Sequence, residues 1–216
     1  MKFSMKNCWL ILIALFAVTP FASAQSLKEV FSSSETPLFY LGVDFTQARL
    51  IDDATASPMD IRDRHYPAIN DLIVNEPKKF DLQGAFHKTK IEHDLGLVAK
   101  RNAKINTETI LSTNSADYSR LKEDDIAKLV KGFDFDGKKG TAVLFVVEGM
   151  NKGQKGESIW VAFIDMGAKK LLFTERIEGK TAMAFGFRNY WAAPINDVLK
   201  TIEKKKYKEW QQKFAG

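Results

Sequence analysis

Cysteine is nearly missing from this chain: Cys8 stands alone among 216 residues. No disulfide can staple the fold, and no cysteine nucleophile or thiolate cage can be built downstream of it. Histidine is scarce as well, with only His65, His87 and His93. Their spacing makes no H-E-x-x-H helix, and a period-two strand over residues 90–98 turns Glu92 and Asp94 away from His93. No metal site and no cofactor is expected. The chain has no G-x-S-x-G elbow. Asp134-Phe135-Asp136-Gly137 lacks the later oxygen ligands of a calcium loop. Gly179-Lys180-Thr181 lacks the upstream glycine of a phosphate loop, since Thr174 stands in its place. A Ser–His–acid group remains conceivable, because such sites are defined by geometry and not by spacing.

Charge of one sign is not concentrated either. The net charge is +5, and both signs are mixed along the chain, which argues against a nucleic-acid footprint. Apart from residues 9–18 there is no long apolar run. That run follows Lys2 and Lys6, is broken by Pro20, and ends in Ala22-Ser23-Ala24 before Gln25. It is shorter than the roughly 20 residues a spanning helix needs. The pattern is that of an export signal, expected to be cut near Ala24. Losing its two lysines lowers the charge of +5 to about +3. Cys8 precedes the run, so no lipid-bearing cysteine is available at the cut. A thiol-free remainder suits an oxidising compartment. The expected location is periplasmic or secreted, without a transmembrane segment.

Residues 25–37 read as a flexible lead-in and 38–216 as a single domain, large enough to bury a core without staples. Residues 38–45 form a short, almost continuous apolar run, suited to a strand buried on both faces. Residues 52–58 read as a loop. Residues 59–74 hint at a helix that Pro67 should end or kink near Tyr66. Residues 90–98 read as a strand. Ser119 is a candidate N-cap for a helix that closes at Gly132. Residues 141–148, 158–166 and 171–177 are three β-rich runs. Their short connectors force antiparallel neighbours, because a parallel crossover needs a dozen or more residues. The first run is apolar on both faces, so it requires cover beyond the sheet itself. A last helix from about Asn189 to Phe214 carries Trp191, Ile195, Val198, Leu199 and Ile202 on one stripe and most of its lysines elsewhere. The lysines at 204–206 read as its solvated face, with attraction to anionic lipid as the functional alternative. The expected fold is α/β (α+β): a two-layer sandwich whose mixed, mainly antiparallel sheet ends in a three-strand meander covered by helices.

The most unusual cluster is Phe185-Gly186-Phe187-Arg188-Asn189-Tyr190-Trp191. It is either a tight turn whose rings anchor the last helix or an aromatic surface centred on Arg188. Trp191 belongs to the helix stripe, which favours the anchor. Phe185, Phe187, Arg188 and Tyr190 are the candidate partner-binding residues.

Four stretches, LFYLGVDFTQARLI, TAVLFVVEGMNKG, SIWVAFIDMGAKKLLFTERIEGK and FGFRNYW, give the chain a resemblance to exported proteins of unknown function from Bacteroidetes-type bacteria. In layout it is also similar to the amino-terminal α/β domain of the translocation protein TolB and to related envelope-assembly lipoproteins. It lacks their propeller and lipid-bearing cysteine. The resemblance implies an envelope role and transfers no active site. Two functions are expected from these readings. The first is an exported, non-catalytic protein binding an envelope protein or a glycan. The second is a secreted hydrolase whose residues meet only in three dimensions. A pocket placing His65 or His93 beside a carboxylate and a serine would favour the hydrolase.

Overall fold

The computed structural model describes residues 27–53 and 56–216; the expected leader and Cys8 lie outside the described residues. The organising element is strand β5 (Thr141–Asn151), buried along its whole length. Its odd-numbered Val143, Phe145 and Val147 enter one apolar core, and its even-numbered Ala142, Leu144 and Val146 enter a second. The neighbouring strand β6 (Gly156–Asp165) divides in the same way, Ile159, Val161 and Phe163 to one side and Trp160, Ala162 and Ile164 to the other. Alternation cannot be seen in these runs because both faces are apolar, as befits a strand covered on both sides. Each Val, Leu, Ile or Phe side chain among them contributes about 1.5–3 kcal/mol on burial, so the pair anchors the domain.

The strands before β5 are β1 (Leu38–Asp44), β2 (Arg49–Ile51), β3 (Ile91–His93) and β4 (Leu111–Ser112). They join it in the order β3-β1-β5-β2-β4, every pairing parallel. The last strand, β7 (Lys170–Lys180), pairs antiparallel with β6, and β6 with β5. The expected mainly antiparallel, two-layer sandwich is therefore corrected. The core is a five-strand parallel sheet, the antiparallel meander is appended to it, and helices cover both faces. Short connectors dictated direction only from β5 onward. The earlier strands reach β5 across helical connections long enough for parallel crossovers.

One edge of β5 is filled by β6, so β1 and β2 share the other in tandem, β1 along Ala142–Val146 and β2 along Gly149–Asn151. Within β1 a bulge follows Tyr40, where Gly42 has φ +101°, and pairing with β5 resumes at Val43. A Cβ there would lie 2.7 Å from Asn70 Oδ1, closer than any real side chain allows. Past the bulge, buried asparagines replace a neighbouring strand. Asn70 Oδ1 accepts from Val43 N at 2.7 Å, and its Nδ2 donates to Val43 O at 3.0 Å. Asn102 Oδ1 accepts from Phe45 N, and its Nδ2 donates to Val43 O, both at 2.9 Å. Buried backbone groups must find partners somewhere, and here two side chains supply them.

The first face is covered by α1 (Leu27–Ser32), α3 (Tyr66–Asn75), α7 (Phe187–Thr201) and α8 (Tyr207–Ala215), the second by α5 (Leu95–Asn102) and α6 (Glu123–Lys131). Helix α1 lies within the expected lead-in; its Val30 and Phe31 are buried, and Phe31 packs on Tyr207 and Trp210. Helix α2 (Pro58–Asp60) runs into α3 through a π turn at Ile61–His65, and α7 runs into α8 through another at Ile202–Lys206. Pro67 does not end the helix. The π turn places Tyr66 N–H on Ile61 O, and the proline falls in the first turn of α3. The widened turn relieves the clash its ring would otherwise meet. The expected strand at 90–98 stops at His93. Asp94 Oδ1 accepts from Gly96 N at 3.0 Å and starts α5, as an N-cap aspartate does. A short helix, α4 (Leu82–Ala85), and 3-10 turns at Thr107–Thr109 and Ser115–Ser119 complete the described elements. Among the described residues no helix is long and apolar enough to cross a membrane.

Candidate functional site

Parallel strands gather their carboxyl ends on one side, and ligands of open α/β sheets bind outside those ends. In this protein Asp52 and Asp53 follow β2, Thr113 follows β4, and Lys152 follows β5. The segment after β7 and the α2–α3 helix meet at the same end, around a cleft of about 390 Å³. A volume of this order is typical of small-molecule sites, roughly 300–1,000 Å³.

One wall is the start of α2 and its π turn. Ser57 caps the helix, its Oγ accepting from Asp60 N at 3.4 Å, and Pro58 occupies the first turn. The π turn sets Ile61 and His65 along the cleft, a use of widened turns that recurs at functional sites. The opposite wall is the start of α7. The His65 ring lies on Phe187, centroids 4.5 Å apart at 25°. Phe187 in turn meets Trp191 at 6.2 Å, and Trp191 meets the edge of Tyr190 at 4.9 Å. Two elements far apart in sequence thus build one ladder of rings. Helix α7 is pressed against the sheet because Gly179 of β7 leaves room for Pro194; any Cβ there would collide with the Pro194 carbonyl.

The charged groups of the cleft are paired. Lys152 Nζ sits 3.0 Å from Asp53 Oδ2, and Arg64 Nη1 sits 3.3 Å from Asp60 Oδ1. Burial lowers the pKa of His65, the Arg64 charge lowers it further, and Asp60 works in the opposite direction. The imidazole is accordingly neutral at pH 7. It can stack, donate or accept, but it brings no fixed charge.

The four candidate residues separate here. Phe187 and Tyr190 line the cleft. Phe185 projects from its rim into solvent. Arg188 is exposed and donates from Nε to Asn189 Oδ1 at 3.2 Å, outside the lining. Of the histidines, His87 stacks on Tyr207 at 4.0 Å and His93 is exposed on β3. Sequence reasoning passed over Asp53, Ser57, Asp60 and Lys152. Ser57-Pro58-Met59-Asp60 holds a signal, an N-cap serine, a first-turn proline and an early acid, but residues 52–58 read as a loop and the helix is expected only from Met59. Among the described residues no group of three His, Cys, Asp or Glu side chains is placed to hold a metal ion. Compared with known proteins, the chain matches no known family, and none of the curated proteins is significantly similar to it.

Proposed function

We propose that this protein is an exported, non-catalytic binding protein of the envelope that holds its partner or ligand in the cleft at the carboxyl ends of β2, β4 and β5. One observation carries the reading. Among the described residues, the large hydrophobic side chains left exposed are Met59 (63%), Met183 (96%) and Phe185 (87%). Met59 precedes Asp60 in the chain, and Met183 and Phe185 stand on either side of Ala184, so each adjoins a residue that lines this one cleft. Apolar surface left in water and rimmed by polar groups marks interaction sites, and methionine adapts to irregular partners. Export is supported by the charged start, apolar run and A-x-A end of residues 1–24. Phe187→Ala combined with Tyr190→Ala should remove at least nine-tenths of whatever the immobilised protein retains from envelope extract, with the circular dichroism unchanged. An identical retained set from the folded double variant would sink the cleft reading.

A hydrolase is the second reading, because His65, Ser57 and Asp60 line the same cavity. Against it, the Ser57 oxygen is engaged as a helix cap and the His65 ring is stacked on Phe187. Turnover of a p-nitrophenyl ester panel that disappears in Ser57→Ala would establish the hydrolase; no turnover removes it.

A further inference from the structure

We infer that the outer edge of β7 is a second binding surface, separate from the cleft, and that it takes an extended peptide with basic residues at alternate positions. β7 pairs with β6 alone, so its other edge ends the sheet on that side. Two contacts fix which residues turn their backbone outward. Thr181 N donates to Lys155 O at 2.9 Å and continues the β6 ladder, whereas Lys180 N donates away from it, to Asp197 Oδ2 at 2.9 Å. Bonded and unbonded pairs alternate along an antiparallel ladder, so the next outward groups are those of Glu178, Arg176 and Thr174. Among the described residues, no hydrogen bond from outside the β6–β7 ladder reaches the backbone of these three.

The edge lies in a groove. Thr174 and Arg176 line a cavity of about 370 Å³, walled by Glu123 at the start of α6 and by Trp210 and Lys213 of α8. Thr174 is 5% exposed, so its outward N–H and C=O have little water to bond and gain partners from an added strand. A second copy of the sheet would bring its own α6 and α8 against these walls, whereas a single extended chain passes between them. Side chains of that chain alternate between the walls. On the α8 side they meet Phe173 and Trp210, with Lys213 Nζ 4.7 Å over the Phe173 ring. Glu175 and Glu209 on that side are both held by Lys206, at 2.6 and 2.9 Å. On the α6 side they meet Glu123, which has no ion-pair partner among the described residues, and further along the strand Glu178, whose exposed pair with Lys180 at 3.6 Å is worth little. Arg176 is already engaged there, 3.3 Å from Glu148. The α6 wall therefore offers free negative charge, and the α8 wall offers rings and a cation. A peptide that alternates basic and apolar residues matches both.

The test titrates the protein with capped octapeptides, read by calorimetry and by amide hydrogen exchange. The probe alternates lysine and valine. Its controls are a glutamate–valine peptide and two forms of the probe, N-methylated at every lysine or at every valine. In an antiparallel added strand, residues bonded to Thr174, Arg176 and Glu178 share their face, so the lysines carry the bonding N–H groups. The probe should bind and slow exchange of the Arg176 and Glu178 amides at least about tenfold, while Glu175 and Ile177, already on the β6 ladder, change little. Methylation at lysine should weaken binding at least about tenfold, and methylation at valine less than about threefold. The glutamate peptide should bind at least about tenfold more weakly than the probe, and Glu123→Gln should weaken the probe at least about threefold. Methylation at valine weakening binding as much as methylation at lysine, or no slowing at Arg176 and Glu178, overturns the edge proposal and leaves the cleft reading untouched. Slowing at those amides that grows with protein concentration in the absence of peptide means that a second copy fills the edge, and the peptide proposal then fails.

Discussion

Two glutamates on adjacent strands, both wholly buried, meet opposite surroundings. Glu148, at the irregularity in β5, faces the second core with every oxygen engaged. Leu121 N donates to Oε1, Ser158 Oγ and Trp160 Nε1 donate to Oε2 at 3.2 and 3.0 Å, and Arg176 Nε stands 3.3 Å from Oε2. The Arg176 guanidinium also lies 4.8 Å over the Trp160 ring and donates to Leu121 O at 2.8 Å. Glu157, opposite Met150 in β6, faces the first core, and neither of its oxygens has a hydrogen-bond partner among the described residues. One carboxylate ties the lead-in to α6 onto three strands; the other is a polar group inserted into apolar packing with nothing to hold. Burial therefore does not tell what a charged residue does. Its partners do.

The sharpest way to break the contrast is to remove the partnered group. Glu148→Ala leaves Arg176 facing a hole and Leu121 N–H without an acceptor. Breaking a buried pair from one side costs about 3–5 kcal/mol, and urea denaturation should show a loss of that size. A loss under about 1 kcal/mol, the level of an exposed ion pair, would mean that the Glu148 network is not an anchor.

The next largest effect concerns polar groups that are satisfied without charge. Asn70→Ala strands Val43 N–H, and Asn102→Ala strands Phe45 N–H, each costing about 1–3 kcal/mol. The Val43 carbonyl receives from both asparagines at 3.0 and 2.9 Å, so either single variant leaves it one donor. The double variant leaves none. Its cost should exceed the sum of the singles by about 0.5–3 kcal/mol, the range for residues sharing a network. Simple additivity would show that the two side chains do not stand in for a strand together.

How much of this was legible in the chain follows from where the information resides. The β-rich runs of β5, β6 and β7 and the stripe of α7 are local patterns, and they read correctly as elements. Parallel pairing is not local. Nothing in residues 38–51 says that both pieces lie in tandem on one edge of a strand a hundred residues on, nor that Asn70 and Asn102 fill the gap. Asp94 was misread because Ile91, Leu95 and Leu97 alternate as a strand would, and a single capping carboxylate turned the chain into α5 instead. The aromatic half of the cleft was visible as FGFRNYW. His65 looked isolated because its neighbour Phe187 comes from a different helix, and the Asp53–Lys152 pair joins the ends of two strands. Tertiary pairs of that kind leave no spacing to read.

The smallest and most diagnostic effect at neutral pH belongs to Glu157. Burial pushes its pKa well above the usual carboxyl value, so the folded protein keeps the proton where the unfolded chain, with a glutamate near about 4.3, gives it up. Below that value both states are protonated and the folded state loses nothing. Above it the unfolded state sheds its proton and gains on the folded one, so stability falls as pH rises toward the folded pKa. Nearby groups sharpen the case. The Glu157 charge would raise the Tyr66 and Tyr118 pKa values, already raised mainly by burial, and Arg49 acts in the opposite sense on Tyr66. Glu157→Gln keeps the shape and removes the proton. It should match wild type near pH 4 and be the more stable protein at pH 8, by at least about 1.4 kcal/mol for each tenfold preference of the folded state for the proton. Parallel stability-versus-pH curves for the two proteins would mean that Glu157 is partnered in solution, and the contrast with Glu148 would then be one of degree alone.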